Sequence, residues 1–537
     1  MDQERLMIPM RDGVRLESYV CRPPGSGPWP GLLARCMYGT ERLDDRAAQF
    51  VAQGYAVVLQ NIRGRLGSEG ALPGRGSTPE DGYGTIAWMA RQPWCTGRVG
   101  TFGASALARA QTATAFLAHP AHRAMCPQVL PFGMMSRLGG AIMFSQIPMW
   151  LYFAQSGSDL VPYDVIDWMP HLFKLPVTDV LNDLGGPIDL YRETVTNQRG
   201  YWDMAPPENF RRLRTPNLMV TGWYDHCVTG PFDFYRLTQQ HASDEQKRDT
   251  HLVIGPWDHN CDPAVIDEYD FGPEAHRDHF AAEVVFFSRH LKGDTTAPAP
   301  PPVRLFVMGR NEWRDEPAWP LERAVETRFY LHKAGRLSTA EPGDEPPDRF
   351  TYDPTDPVPT IGGANSGPAR ALPMKRGPRD QRPVLGRDDV LLYQSDPMTE
   401  PMEVTGPLRM VLFAASSARD TDFTAKVMDI APDGNARILT DGVVRARYRN
   451  GRDRPELLTP GDVVRYEIDL WQTGNEFQPR HRIGLAVSSS NFPRINRNLN
   501  TGGDNERDAD FVVARQTIFH DSGRPSHLVL PVVPAAR

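Results

Sequence analysis

Three short segments of this 537-residue chain carry residue types that could perform acyl-transfer chemistry together. Gly103-Ala104-Ser105 lies between an apolar run, Val99 to Phe102, read as the end of a buried strand, and an Ala-rich run, Ala106 to Ala118, read as a helix. A Ser at such a corner exposes its hydroxyl beside the N–H groups of a helix N-terminus, where negative charge is favoured. Attack on a carbonyl needs that setting, because an oxyanion must be held as the Ser adds. The corner alone is a weak signal, and two later segments strengthen it. Leu218 to Asp225 reads as an apolar strand ending in an acid, and Leu252 to His259 as a second one ending in a His. A neutral hydroxyl is a poor nucleophile, so His259 is expected to take its proton. Asp225 is expected to accept the other imidazole N–H and fix the tautomer.

Each partner also has a plainer reading, Asp225 as a turn residue and His259 as a satisfied surface or core histidine. A third reading is metal binding, since Asp225, His226, Cys227 and then Asp258, His259, Cys261, Asp262 are ligand types in two clusters. Adjacent residues on a strand point to opposite faces, and no C-x-x-C or H-E-x-x-H spacing is present. Neither a metal nor a cofactor is therefore expected.

The catalytic residues need a rigid frame, and the pattern supplies one. Gly31 to Cys36, Tyr55 to Asn61 and Arg98 to Phe102 read as strands. Between the last two, Thr78-Pro79-Glu80-Asp81 starts a helix that runs to about Gln92, with a Thr cap, a Pro at the first position and acids at the positive dipole end. Asn217 to Gly222, His251 to Gly255 and Arg304 to Met308 resume the strand series. This alternation predicts a parallel, doubly wound sheet. Residues 132–214 interrupt it with Met, Leu, Trp and Tyr at helix-like spacing, read as an inserted helical cap above the strands' carboxyl ends, where such sheets bind ligands. Within the cap, the uncharged stretch Leu138 to Ala154 reads as a buried helix pair or a lid. After residue 320 helix signals are few. Thr327–His332, Leu408–Ala414, Asp422–Ile430, Val463–Leu470 and Arg482–Ser488 read as strands of a sandwich or jelly roll.

Length requires more than one core. The net charge of −7, with both signs interspersed and no basic stripe, argues against nucleic acid as a partner. The first eleven residues hold no apolar signal segment, and Leu138 to Ala154 is too short and too polar to span a membrane, so a cytoplasmic location without membrane partners is expected. Six scattered Cys are expected as reduced thiols. The chain is compatible with a homo-oligomer.

The order Ser105, Asp225, His259 is the one expected of α/β-hydrolases. The chain resembles the cocaine esterase-like and X-prolyl dipeptidyl peptidase-like serine hydrolases, a group that includes α-amino acid ester hydrolases and glutaryl acylases. Beyond the catalytic segments, the resemblance rests on Met10-Arg11-Asp12-Gly13, Arg63-Gly64, Ser68-Glu69-Gly70, Gln92-Pro93-Trp94 and Leu291-Lys292-Gly293. It continues through Tyr352-Asp353-Pro354, Thr360-Ile361-Gly362-Gly363, Gly377 to Gln381 and Ser490-Asn491-Phe492-Pro493. It implies an α/β-hydrolase domain with an inserted helical cap, plus a C-terminal β jelly-roll domain. The boundaries expected are 1–131 and 215–320 for the catalytic domain, 132–214 for the cap and 321–537 for the jelly roll. It also implies an oxyanion hole made of the Ala106 N–H and the Tyr38 hydroxyl, and a small ester, amide or short-peptide substrate, with X-prolyl-type aminopeptidase activity within the family's range.

Four positions depart from the family pattern. Ala108 replaces a Gly, Ala106 a common Tyr, Asn61 a usual Asp, and Arg199-Gly200-Tyr201-Trp202 stands where the cap usually reads Asp-x-x-Trp. Trp150 on the uncharged cap stretch and His226 beside the acid are the candidate substrate-binding residues. The alternative for Trp150 is cap core. An extended chain would point His226 away from Asp225, over the pocket or into solvent. Two other functions compete with hydrolysis: an acyltransferase or aminoacyltransferase passing the Ser105 acyl group to an amine or alcohol, and a non-catalytic binding protein using the jelly roll.

Overall fold

A computed structural model describes residues 3–72, 78–133, 137–155, 162, 164–197, 205–261, 264–365, 372 and 374–535. The first sheet is built from β1 (Gln3–Pro9), β2 (Arg15–Cys21), β3 (Trp29–Cys36), β4 (Ala56–Asn61), β5 (Cys95–Ala104) and β6 (His122–Gln128). It continues with β7 (Asn217–Gly222), β8 (Thr250–Gly255), β9 (Val303–Val307) and β10 (Glu312–Glu316). The spatial order is β1-β2-β4-β3-β5-β6-β7-β8-β9-β10. The strands from β4 to β9 run parallel, and β1, β2 and β10 are antiparallel edges. Both β4 and β7 are buried at every residue, as strands covered on both faces must be. The covering helices include α1 (Asp44–Ala52), α2 (Pro79–Ala90) and α3 (Ala106–Ala115).

Between β6 and β7 lie α4 (Ile147–Gln155), α5 (Trp168–Leu172), α6 (Ile188–Thr196) and α7 (Pro207–Arg212), with a short hairpin of Arg137–Leu138 and Ala141–Ile142. After β7 come α8 (Thr229–His241), α9 (Asp244–Arg248) and α10 (His279–Phe287). Beyond Val325 the chain forms an eleven-stranded sheet with long strands such as Met402–Ser416 and Val464–Phe477. The topology is that of an α/β-hydrolase with a helical insertion and a C-terminal sandwich of jelly-roll type. Among the described residues no helix is long and apolar enough to cross a membrane. None of the six Cys is in a disulfide.

Several local expectations are corrected. Thr78 sits at the start of α2 in extended conformation, but its hydroxyl makes no cap bond. The helix after Ser105 ends at Ala115 rather than Ala118, because Ala118 turns left-handed at φ 51°. Leu138 to Ala154 is a hairpin followed by one helix, not a helix pair, since Gly139 and Gly140 take positive φ and turn the chain.

Candidate active site

The strand-to-helix corner is held in a backbone conformation that few non-glycine residues adopt. Ser105 has φ 59° and ψ −121°. Such a position costs about 1–3 kcal/mol and persists only where its surroundings enforce it. Here they do. The Ser105 N–H donates to the Gln128 carbonyl of β6 at 2.9 Å, and the Ser105 carbonyl accepts from the Arg109 N–H of α3 at 3.1 Å. Gly103, at φ 125°, leaves the room this bend needs, since a Cβ there would stand 2.8 Å from Leu107. Ala108 is fully buried in the helix–sheet core, so the methyl in place of the usual Gly is accommodated.

Tyr38 follows β3 on the same carboxyl edge. Its ring stacks on Phe153 of α4 at 5.1 Å. Its hydroxyl accepts from the Trp150 indole N–H at 3.2 Å. That bond occupies a lone pair of the phenol oxygen and leaves the O–H proton to donate. Burial pushes the phenol well above its ordinary pKa, so it stays a neutral donor. Tyr38, Ala106 and Trp150 meet in one apolar cluster with Met37, Ile62 and Ala154. Both residues of the expected oxyanion hole thus pack against the same cluster, as does Trp150. Trp150 also packs against the cap core.

The acid and the histidine do not sit on strands. The strands stop at Gly222 and Gly255, and the loops beyond run side by side. Trp223 N–H donates to Gly255 O and Tyr224 N–H to Trp257 O, both at 2.9 Å. This approach needs a bare Gly222, because a Cβ there would stand 2.1 Å from the Trp257 carbonyl oxygen. The result is a 2.7 Å contact between Asp225 Oδ1 and His259 Nδ1. Asp225 is fully buried. Its Oδ2 accepts from the Thr221 hydroxyl at 3.1 Å, and its Oδ1 from the Cys227 N–H at 3.0 Å. Burial pushes this carboxyl up, but the charge and hydrogen bond of His259, the nearby His226 and the Cys227 amide outweigh it and hold it below the ordinary carboxylate range.

Because Asp225 lies in a turn, the expectation that His226 points away from it fails. The His226 ring tilts against His259 at a centroid distance of 4.2 Å, with Nδ1 3.5 Å from Asp225 Oδ1. It is 5% exposed, and burial followed by the adjacent His259 drives its pKa well down, so it is a neutral imidazole. The same turn undoes the alternation that dispersed the ligand-type residues: Asp225, His226, Cys227 and His259 bring one donor atom each to within 4.8 Å of one another. Asp258 instead pairs with Arg376 at 3.2 Å, and Asp262 lies outside the described residues, as does the segment 199–202.

Sequence reasoning missed Thr221, the Trp257 strut and the support behind Ser105, where the Gln128 amide N–H donates to Glu283 at 2.7 Å. A hydroxyl four residues before the acid and two glycines ending paired strands were the available signals. Asn61 also gains a reason: its amide donates to Glu17 Oε2 at 2.8 Å, so the usual Asp would set carboxylate against carboxylate.

Comparison with known proteins shows the family and the fold. The sequence model of the X-Pro dipeptidyl-peptidase (S15 family) matches residues 12–260. That of the X-Pro dipeptidyl-peptidase C-terminal non-catalytic domain matches residues 296–529. Cocaine esterase of Rhodococcus sp. (strain MB1 Bresler) is 36% identical over 582 aligned residues, covering 98% of this chain and 98% of its own. A solved α-amino acid ester hydrolase is 25% identical and superimposes with a TM-score of 0.86 over 99% of this chain and 96% of that one. An aminopeptidase from the marine sediment archaeon Thaumarchaeota archaeon, 24% identical, shares the fold with a TM-score of 0.83 over 99% of this chain and 96% of that one.

Proposed function

The chain belongs to the cocaine esterase and X-Pro dipeptidyl-peptidase (S15) family of α/β serine hydrolases, and on that premise we propose that Ser105, His259 and Asp225 cleave the ester or amide bond of a small acyl substrate through an acyl-enzyme. The observation that carries the reading is the 2.7 Å bond between buried Asp225 and His259, on the carboxyl edge where the Ser105 corner also opens. His259 Nε2 takes the Ser105 proton as Oγ adds to the substrate carbonyl. The oxyanion lies between the Tyr38 O–H and the Ala106 N–H, both neutral donors placed before charge develops. His259 then protonates the departing alcohol or amine, and water attacks the acyl-Ser105 by the reverse sequence. Residues 1–131 and 215–320 form the catalytic domain in this reading, 132–214 the cap and 321–537 the jelly roll.

Fluorophosphonate labelling with peptide mapping, together with hydrolysis of small acyl esters by Ser105→Ala, tests this directly. Modification at Ser105 and a rate loss of about 10⁴-fold or more are expected. A folded Ser105→Ala that retains the wild-type rate overturns the mechanism. Adding an amine to the same assay separates transfer from hydrolysis, since only transfer yields the amide.

A further inference from the structure

Two of the four donor groups gathered at the acid have no role in the proposed acyl transfer. His226 is buried, and its Nδ1 has no hydrogen-bond partner although it faces Asp225 Oδ1 at 3.5 Å. Cys227 contributes its backbone N–H to Asp225, while its side chain offers a buried sulfur within the same 4.8 Å group. From this juxtaposition we propose that Asp225, His226, Cys227 and His259 form a site for a soft divalent cation, Zn²⁺ above all, whose occupation shuts the enzyme off.

The donor set is one carboxylate oxygen, two imidazole nitrogens and one thiolate sulfur, a combination that suits tetrahedral Zn²⁺ and suits Ca²⁺ or Mg²⁺ poorly. Donors on a tetrahedral zinc stand about 2.0–2.3 Å from the ion, hence about 3.3–3.6 Å from each other. Of the contacts from Asp225 Oδ1, that to His226 Nδ1 at 3.5 Å already has this spacing, and that to His259 Nδ1 at 2.7 Å must open by under about 1 Å. The widest pair needs to close by only about 1 Å. Four protein ligands leave no open position for water, so the bound ion would be closed rather than catalytic. Binding releases one proton to solvent, that of the Cys227 thiol, while the Nδ1 proton of His259 moves to Nε2 as Nδ1 takes the metal. The Asp225–His259 hydrogen bond is replaced by two bonds to metal, and His259 can no longer turn over a proton.

The inhibitory part rests on the proposed triad, whereas metal binding does not, so the two are measured separately. Zn²⁺ affinity and stoichiometry are read by competition with a chromophoric chelator, on metal-stripped wild type, Cys227→Ala, Cys227→Ser and His226→Ala. Ester hydrolysis is followed against each protein's own metal-free rate. One Zn²⁺ per chain is expected, with affinity lowered at least about tenfold in the variants. Activity should fall in proportion to occupancy and return with a chelator. Replacing Zn²⁺ by Co²⁺ in the wild type should give thiolate-to-cobalt charge-transfer absorption, a readout that survives if the variants fail to fold. Equal affinity in folded Cys227 and His226 variants, absence of the Co²⁺ band, or Zn²⁺ binding without loss of activity would each overturn the inference. If Ser105→Ala still hydrolyses esters, the triad falls, and the metal site is judged by the chelator and Co²⁺ results alone.

Discussion

At the scale of single residues, the arrangement around Tyr38 makes the proposed oxyanion hole depend on a side chain from the cap. The Trp150 N–H occupies the phenol oxygen, which aims the Tyr38 proton elsewhere. Trp150→Phe keeps an aromatic body and removes that donor. It should lower kcat about tenfold for aromatic and acetyl esters alike, while Tyr38→Phe should cost about 10²-fold or more. In a Tyr38→Phe background, Trp150→Phe should add little, and a double-mutant cycle on kcat measures the coupling. A KM increase confined to aromatic esters would make Trp150 a pocket wall and not a positioning residue. The candidate Ser105, Asp225 and His259 could be named because each follows an apolar run, in a meaningful order. The direction of His226 was not legible. It depends on a turn at Trp223 and Tyr224 that is set by hydrogen bonds to Gly255 and Trp257, thirty residues away in sequence.

At the scale of elements, the central parallel strands were readable as continuous apolar runs, and Asn217–Gly222, Asp422–Ile430 and Arg482–Ser488 have the bounds that pattern predicts. The antiparallel edges β1 and β2 were not, because charged residues such as Glu4, Arg5 and Glu17 interrupt their alternation. Strand β6, with its His, Arg and Pro, also carries a weak strand signal. Yet β6 supports the Ser105 corner, since Gln128 accepts the Ser105 N–H and donates to Glu283 on α10. Glu283 is fully enclosed, and burial pushes its carboxyl from 4.5 up to about 7 despite Arg46 at 3.4 Å. We give burial the greater weight, because Arg46 is itself partly solvated and cannot offset the loss of water around the carboxyl. A folded-state pKa above the unfolded one means stability that is present in full below about 4.5 and lost as pH rises through about 7. Glu283→Gln should therefore match the wild type near pH 5 and exceed it near pH 8, by up to about 3 kcal/mol. Thermal unfolding of both proteins across that range checks it. An identical pH slope in the two would mean that Glu283 does not titrate there.

At the scale of the whole molecule, the jelly roll is bonded to the cap. Hydrogen bonds run from the Ile142 N–H to Asn496 Oδ1 at 2.7 Å and from the Phe144 N–H to the Arg494 carbonyl at 2.9 Å, just before α4 and its Trp150. The cap core itself includes Phe492, Leu372 and Met374 from the C-terminal chain. Such contacts between distant segments leave no local mark in a sequence, which is why a jelly roll was legible and its grip on the cap was not. Arg137 is the clearest tie. Its side chain is fully buried, donating to Gly140 O at 3.0 Å and to Glu506 at 3.1 Å, and it also bonds the Val195 carbonyl at the end of α6. Glu506 in turn meets Arg445, which is paired with Asp422 through two 2.9 Å bonds. Removing one member of such a network leaves buried charge and carbonyls unpaired, at a cost of about 3–5 kcal/mol. Arg137→Met conserves much of the apolar stem and deletes only the guanidinium. It should lower the melting temperature, open the cap to limited proteolysis before the sheets, and reduce kcat along with stability because α4 no longer fixes Trp150 against Tyr38. Kinetics at a temperature where the variant is fully folded separate the two effects. A kcat equal to wild type under those conditions would show that the jelly roll stabilises the cap without positioning the oxyanion hole.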